Sequence, residues 1–314
     1  MAAAIAYGEI SYKDENWEWP QITGIVVQRH KKKHKGSGDA TVPAARKGHV
    51  PLPVRPDEQG LAIAFLGGSG TVTGSRYLLD DGETRLLVDC GLFQGAKTLR
   101  QKNWNIRPEE TNGIDLILLT HAHLDHSGAL PRFYRLGWRG TILTTPATEA
   151  LCELLLPDSG HIQEQDAKFA NKRGYSQHRP ALPLYTEADA EATLGLFDTV
   201  PFGEWHSIKE GVSVRYHRAG HILGAASIEL KWNDRTILFS GDIGRYDDAM
   251  MRDPAPPYQA DYIVVESTYG DRRHEQIDPT VTLGDYVERC IRRGGTVVIP
   301  AFAVGRAQSL LLHL

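Results

Sequence analysis

A chain of 314 residues with 41% apolar content can bury one large core or two modest ones. Lysine and arginine number 35 against 39 aspartate and glutamate, a formal charge of −4, so no global basic field announces a nucleic-acid partner. No apolar run reaches the ~18–20 residues a bilayer needs, no secretory signal opens the chain, and three dispersed cysteines exclude a disulfide framework, which leaves a soluble, cytoplasmic reading.

Residues 1–58 differ from the rest. They carry the basic run Arg29–Lys35, a Gly36-Ser37-Gly38 linker and prolines at 43, 51, 53 and 56. This composition reads as a solvated, partly disordered basic extension. From Leu61 the pattern becomes α/β. Leu61–Leu66 is a short apolar strand, and Arg76–Asp80 and Thr84–Asp89 flank Asp81-Gly82, a two-residue hairpin signal. Asp115–Thr120 is fully apolar up to its end, as a strand buried on both faces would be. A helix over Ser127–Arg135 and a strand over Thr141–Thr144 follow. Helices are expected at Thr148–Leu155, His161–Lys172 and Thr186–Leu196, the last opened by the capping pair Thr186 and Asp189. Strands return at Ser213–His217, Ser227–Trp232 and Thr236–Ser240, the latter two turning at Asn233-Asp234, and again at Tyr262–Glu266. Pro279–Arg293 reads as a helix, Thr296–Ile299 as a strand and Gly305–Leu314 as a helix still apolar at its last residue, the pattern expected of a truncated chain.

The chemistry concentrates in Thr120-His121-Ala122-His123-Leu124-Asp125-His126, which holds three of the 13 histidines. The loop leaves the carboxyl end of a buried strand, where α/β proteins place their sites. Imidazole nitrogen and carboxylate oxygen are the donors a borderline divalent metal prefers. In an extended His-x-His both side chains face one way, so His121 and His123 can grip one ion while Asp125 and His126 reach a second. His221, between glycines in Ala219–Ala225, and Asp242, after the strand ending at Ser240, are weak signals alone. With the cluster they supply a third nitrogen and a carboxylate able to bridge two ions. Asp89 ends a strand too, and reads as an acid that hydrogen-bonds and orients the histidine loop. His161 is read as a helix-cap or cleft-side residue, not as a ligand.

In that order, Asp89, His121-x-His123-x-Asp125-His126, His221 and Asp242 resemble the metallo-β-lactamase superfamily. Leu92-Phe93-Gln94-Gly95, Ser127–Pro131, Gly220–Ala225, Glu266-Ser267-Thr268-Tyr269-Gly270 and Ile299–Gln308 narrow the likeness to the β-CASP nucleases. That group includes ribonuclease J and the endonuclease subunit of the cleavage and polyadenylation specificity factor. The resemblance covers about residues 60–314. It implies an α/β fold, a four-layer αββα sandwich over 59–270, with an inserted β-CASP domain beginning at 271–314. It implies two Zn²⁺ ions, one held by His121, His123 and His221, the other by Asp125, His126 and Asp242, with Asp242 bridging and orienting the attacking water. Glu266 matches the acid that supports a histidine general acid, which would lie beyond Leu314 together with the family's final zinc-ligand histidine. Arg306 is a candidate for phosphate contact, weighed against a solvated helix residue. The implied reaction is hydrolysis of RNA, with no membrane partner and a homodimer as an allowed assembly. A carbonyl-substrate hydrolase would share the metal half-site but lacks the Glu266–Gly270 motif, and an inactive truncated fragment is the other alternative.

Overall fold

The computed structural model describes residues 4–6, 60–111, 113–176, 178–256, 259–273 and 277–313. The described strands form two six-stranded sheets. The first contains β2 (Ala62–Gly67), β3 (Arg76–Asp80), β4 (Arg85–Val88), β5 (Leu116–Leu118), β6 (Thr141–Thr144) and β7 (Phe197–Thr199), in that spatial order. The second comprises β8 (Trp205–Lys209), β9 (Val212–Arg218), β10 (Ala226–Trp232), β11 (Arg235–Phe239), β12 (Tyr262–Val265) and β1 (Ala4–Ala6), the last pairing antiparallel with β12. The helices are α1 (Lys97–Lys102), α2 (Pro108–Thr111), α3 (Leu124–Ser127), α4 (Leu130–Arg135), α5 (Pro146–Arg173), α6 (Glu187–Leu194), α7 (Pro279–Arg292) and α8 (Arg306–His313).

Alternation along the strands explains the layering. Tyr77, Leu79, Leu86, Val88 and Leu118 face the second sheet, meeting Val214, Tyr216, Ile228, Leu230 and Phe239. Their neighbours Leu78, Leu87, Ile117 and Leu119 face the helices, meeting Phe133, Trp138, Cys152 and Leu156. Both faces of the first sheet are therefore apolar, as its parallel core β4–β5–β6–β7 requires. Each such leucine, wholly withdrawn from water, stabilises the fold by about 1.5–3 kcal/mol.

Several elements depart from the sequence expectation. The Asp81-Gly82 hairpin forms, but its loop spans four residues because Asp81 Oδ1 accepts from Glu83 N at 2.9 Å and Thr84 N at 2.7 Å. The two-residue turn at Asn233-Asp234 matches, with Asn233 left-handed at φ 54°. The helix expected over Ser127–Arg135 is two short ones, α3 and α4, parted at Gly128-Ala129. Conversely, the two helices expected within 148–172 are one, α5, which runs through Pro157. Packing against α6 holds it together: a Cβ at Gly160 would lie 2.7 Å from Glu187 N. His161 therefore sits inside a helix rather than at a cap, exposed and 3.0 Å from Glu187 Oε2. The capping pair Thr186 and Asp189 is formed at the start of α6. No strand occupies 296–299, since the segment has no strand neighbour among the described residues to complete its hydrogen bonds. Strands β7 and β8 and helices α1 and α2 lacked a sequence signal strong enough to place them. The reading of 1–58 as a disordered extension lies outside the described residues except at Ala4–Ala6, which form the β1 edge strand. No described helix is long and apolar enough to cross a membrane.

Candidate metal centre

The site sits on loops at one rim of the sandwich, after β4, β5, β11 and β12 and between β9 and β10. Asp89 follows β4 in a left-handed conformation, φ 59°, which Asp tolerates better than most residues. It is 1% exposed, and its two oxygens accept from four groups. Oδ1 takes Thr120 N and Thr120 Oγ1, each at 2.9 Å. Oδ2 takes Ser75 Oγ at 3.0 Å and His126 Nδ1 at 2.7 Å. The loop docks on α3 by Cys90 N to His126 O, 2.7 Å, and Leu92 N to Leu124 O, 2.8 Å. Only glycine fits at 91, because a Cβ there would fall 1.6 Å from Asp125 O.

Proton positions in the cluster follow from these partners. The Thr120 hydroxyl donates to Asp89, so its oxygen accepts from His121 Nδ1 at 3.0 Å, leaving a lone pair on His121 Nε2. His123 Nε2 lies 3.3 Å from the carbonyl of Val304, which can only accept. The lone pair of His123 is therefore on Nδ1, 3.2 Å from His121 Nε2 and 3.2 Å from His221 Nε2. Asp242 Oδ2 closes the group at 3.8 Å from His121 Nε2 and 3.6 Å from His221 Nε2. Ligand atoms of His121, His123, His221 and Asp242 all lie within 4.8 Å of one another. Beside them, His126 Nε2 and Asp242 Oδ1 are buried and 3.2 Å apart, yet neither has a hydrogen-bond partner. Asp125 Oδ2 is 3.9 Å from the same His126 nitrogen.

Electrostatics keeps His121, His123, His221 and Asp242 available as donors and sets His126 apart. Burial, with the neighbouring imidazoles, holds His121 well below the usual histidine range, and burial also lowers His123. Burial brings His221 down to about 4. Burial alone would raise Asp242, but His126, His221 and His123 together hold it below the usual carboxylate range. Burial likewise opposes charge on His126, yet Asp242 and Asp89 on either side raise it well above the ordinary imidazole value. Facing lone pairs at 3.2 Å and two orphaned buried atoms are costly as they stand. A divalent cation would relieve both, and the nitrogen and oxygen donor set suits one.

The sequence-predicted residues divide in three. His121, His123, His221 and Asp242 are brought into one cluster, with Asp125 and His126 beside it and Asp89 behind His126. Glu266 supports the turn carrying Asp242: its Oε1 accepts from Ile243 N at 2.9 Å, and burial followed by Asp242 raises its carboxyl pKa. Arg306 opens α8 exposed, its guanidinium 5.9 Å from the Phe302 ring centroid. Sequence reading missed Ser75, Thr120 and Val304. Thr120, abutting the histidines at the end of a strand, was the one with a usable signal.

The sequence profile of the Metallo-beta-lactamase superfamily matches residues 69–282. Ribonuclease TTHA0252 of Thermus thermophilus is 36% identical over 256 residues, 81% of this chain and 54% of its own length. Cleavage and polyadenylation specificity factor 73 of Drosophila melanogaster is 34% identical over 264 residues, covering 82% of this chain and 36% of that one. Endoribonuclease YSH1 of Kluyveromyces lactis is 31% identical over 270 residues, covering 82% and 33% respectively. The chain thus spans between one third and about half the length of these relatives. With the profile running from the glycine-rich turn before Asp89 through both sheets and into α7, the chain belongs to the metallo-beta-lactamase superfamily.

Proposed function

We propose that this chain carries the metal-binding half of a β-CASP ribonuclease centre that uses two zinc ions to hydrolyse RNA phosphodiesters. One observation carries the reading: His121 Nε2, His123 Nδ1, His221 Nε2 and Asp242 Oδ2 converge within 4.8 Å, three separated loops meeting at one point. Those four groups would hold the first ion. Asp125, His126 Nε2 and Asp242 Oδ1 would serve the second, with the Asp242 carboxylate bridging. The relatives named as ribonuclease and endoribonuclease support RNA as the substrate class. Residues 59–270 form the first domain in this reading and 271–314 the opening of the second.

A bound divalent ion of this kind supplies Lewis acidity, polarising a phosphoryl oxygen and acidifying water. The protein's own contribution is preorganisation. Asp89 and Thr120 fix the rings of His126 and His121, so no rearrangement is needed when substrate arrives. The Asp242 carboxylate, held ionised below the usual carboxylate range, can accept a hydrogen bond from a water and so aim its oxygen. Glu266 holds the Asp242 turn in place through Ile243 N. Its raised carboxyl pKa suits a partner for a histidine general acid.

Metal analysis of the chain purified without chelator tests the centre, with about two zincs expected if its ligand set suffices and about one if the final ligand histidine of the family is required. Cleavage of a labelled RNA oligonucleotide, by this chain and by a version extended to the relatives' length, tests the reaction. Zinc content near zero, or the same in His121→Ala as in the parent chain, would overturn the centre.

A further inference from the structure

We propose that the main-chain carbonyl of Val304 is a positioning group for the metal centre, holding the His123 ring in the Nε2–H form that turns Nδ1 into the cluster. The inference rests on the metal centre proposed above. His121 and His126 receive their orienting bonds from Thr120 and Asp89, inside the first domain. His123 instead donates to the carbonyl of a residue 181 positions later in the chain.

The segment that delivers this carbonyl is built to approach closely. Phe302 sets its ring 5.9 Å from the His123 ring, centroid to centroid. The Val304 side chain packs against the first-domain core that contains Ile222. Gly305 then turns left-handed at φ 91°. A Cβ there would meet Ile222 Cγ2 at 3.0 Å, one residue from His221. Positions 302, 304 and 305 thus lie against His123 and the core beside His221, and the Val304 carbonyl has no proton of its own. The His123–Val304 bond therefore exists only if His123 Nε2 carries the proton, which frees Nδ1.

The consequence is a coupling. Seating of 302–305 on the first domain and retention of metal by His123 become one event, so unseating the loop weakens metal binding at a ring it never touches through a side-chain hydrogen bond. Loss of an outer hydrogen bond to a metal-ligating histidine typically lowers metal affinity by about 10- to 100-fold.

The test uses the whole chain, ¹⁵N-labelled and stripped of metal, in long-range ¹H–¹⁵N spectra of the histidine rings, with His123 assigned from His123→Gln. The expected parent spectrum has His123 as the Nε2–H form, its Hε2 proton protected from solvent exchange. Gly305→Val places a β-branched side chain at a left-handed position against Ile222. It should abolish that protection and lower zinc affinity about 10- to 100-fold in chelator competition, leaving the His121 and His126 ring signals in place. Val304→Gly, which withdraws the packing side chain without adding bulk, should act in the same direction if Gly305→Val does not fold. Gly284→Ala, where an added Cβ meets nothing within 4 Å, should keep both readouts at parent values. An Nδ1–H ring at His123 in the parent chain, or parent-like protection and zinc affinity in the folded loop variants, would overturn the proposal. A parent chain that binds no zinc would remove the metal centre itself, and the ring spectrum would still decide the part played by Val304.

Discussion

Replacing Asp89 by Asn perturbs the centre through a single atom. Asn tolerates the left-handed backbone at this position, φ 59°, so the loop keeps its path. The amide oxygen can still accept from Thr120 N and Oγ1, both now at 2.9 Å. The new NH₂ group then faces Ser75 Oγ, which can accept, and the His126 Nδ1–H, which cannot, across the present 2.7 Å contact. His126 must rotate or give up its Nδ1 proton and keep the one on Nε2, which points at Asp242 Oδ1, now 3.2 Å away. Either response spoils the His126 Nε2 position that the second ion would use. Losing one charge-assisted hydrogen bond costs about 1.5–3 kcal/mol of folding stability. The lost orientation should lower zinc affinity about 10- to 100-fold. Urea unfolding of the metal-free chain reads the first quantity, and chelator competition the second. Parent-like values for both would refute Asp89 as the residue that orients His126.

Four further outcomes are expected. Asp242→Ala should remove zinc and turnover together, measured as metal content by mass spectrometry; parent zinc content would defeat the bridging assignment. Gly91→Ala forces a Cβ to within 1.6 Å of Asp125 O, so the β4 loop and α3 must separate, costing at least about 1–3 kcal/mol in urea unfolding. Burial opposes ionisation of Asp81, yet bonds from Thr84 N, Glu83 N and Lys209 hold its pKa below the usual carboxylate value. Its stabilising contribution is therefore complete above about pH 4 and lost as pH falls through the depressed folded value, so the stability gap between parent and Asp81→Asn should close in acid. Burial pushes the Cys90 thiol up to about 12 and raises Cys152 further, so only half-buried Cys290 should react with a thiol reagent in the native chain at pH 8. A second thiol reacting at the same rate would contradict that burial.

The candidate metal cluster was legible residue by residue. His121, His123, Asp125 and His126 stand together after an apolar strand, and strand ends carry Asp89 and Asp242. Periodicity placed β3, β6, β9, β10 and α6 within a few residues, because alternation and capping are local properties of a chain. What failed was non-local. The pattern reads as two helices, Thr148–Leu155 and His161–Lys172, but packing of Gly160 on α6 keeps α5 whole through Pro157. Thr296–Ile299 has strand composition, but an extended segment is a strand only where another lies beside it.

The sequence by itself determined which donors exist and in what order: two imidazoles, a carboxylate and a third imidazole in one loop, then one more histidine and a last carboxylate, with the glycines that let their loops approach. Only the tertiary structure decided which nitrogen of each ring faces inward. That choice rests on the partner of the other nitrogen, and for His123 the partner is a main-chain carbonyl 181 residues away. Every residue carries such a carbonyl, so no side-chain pattern can mark the one that matters; folding brings it to the ring.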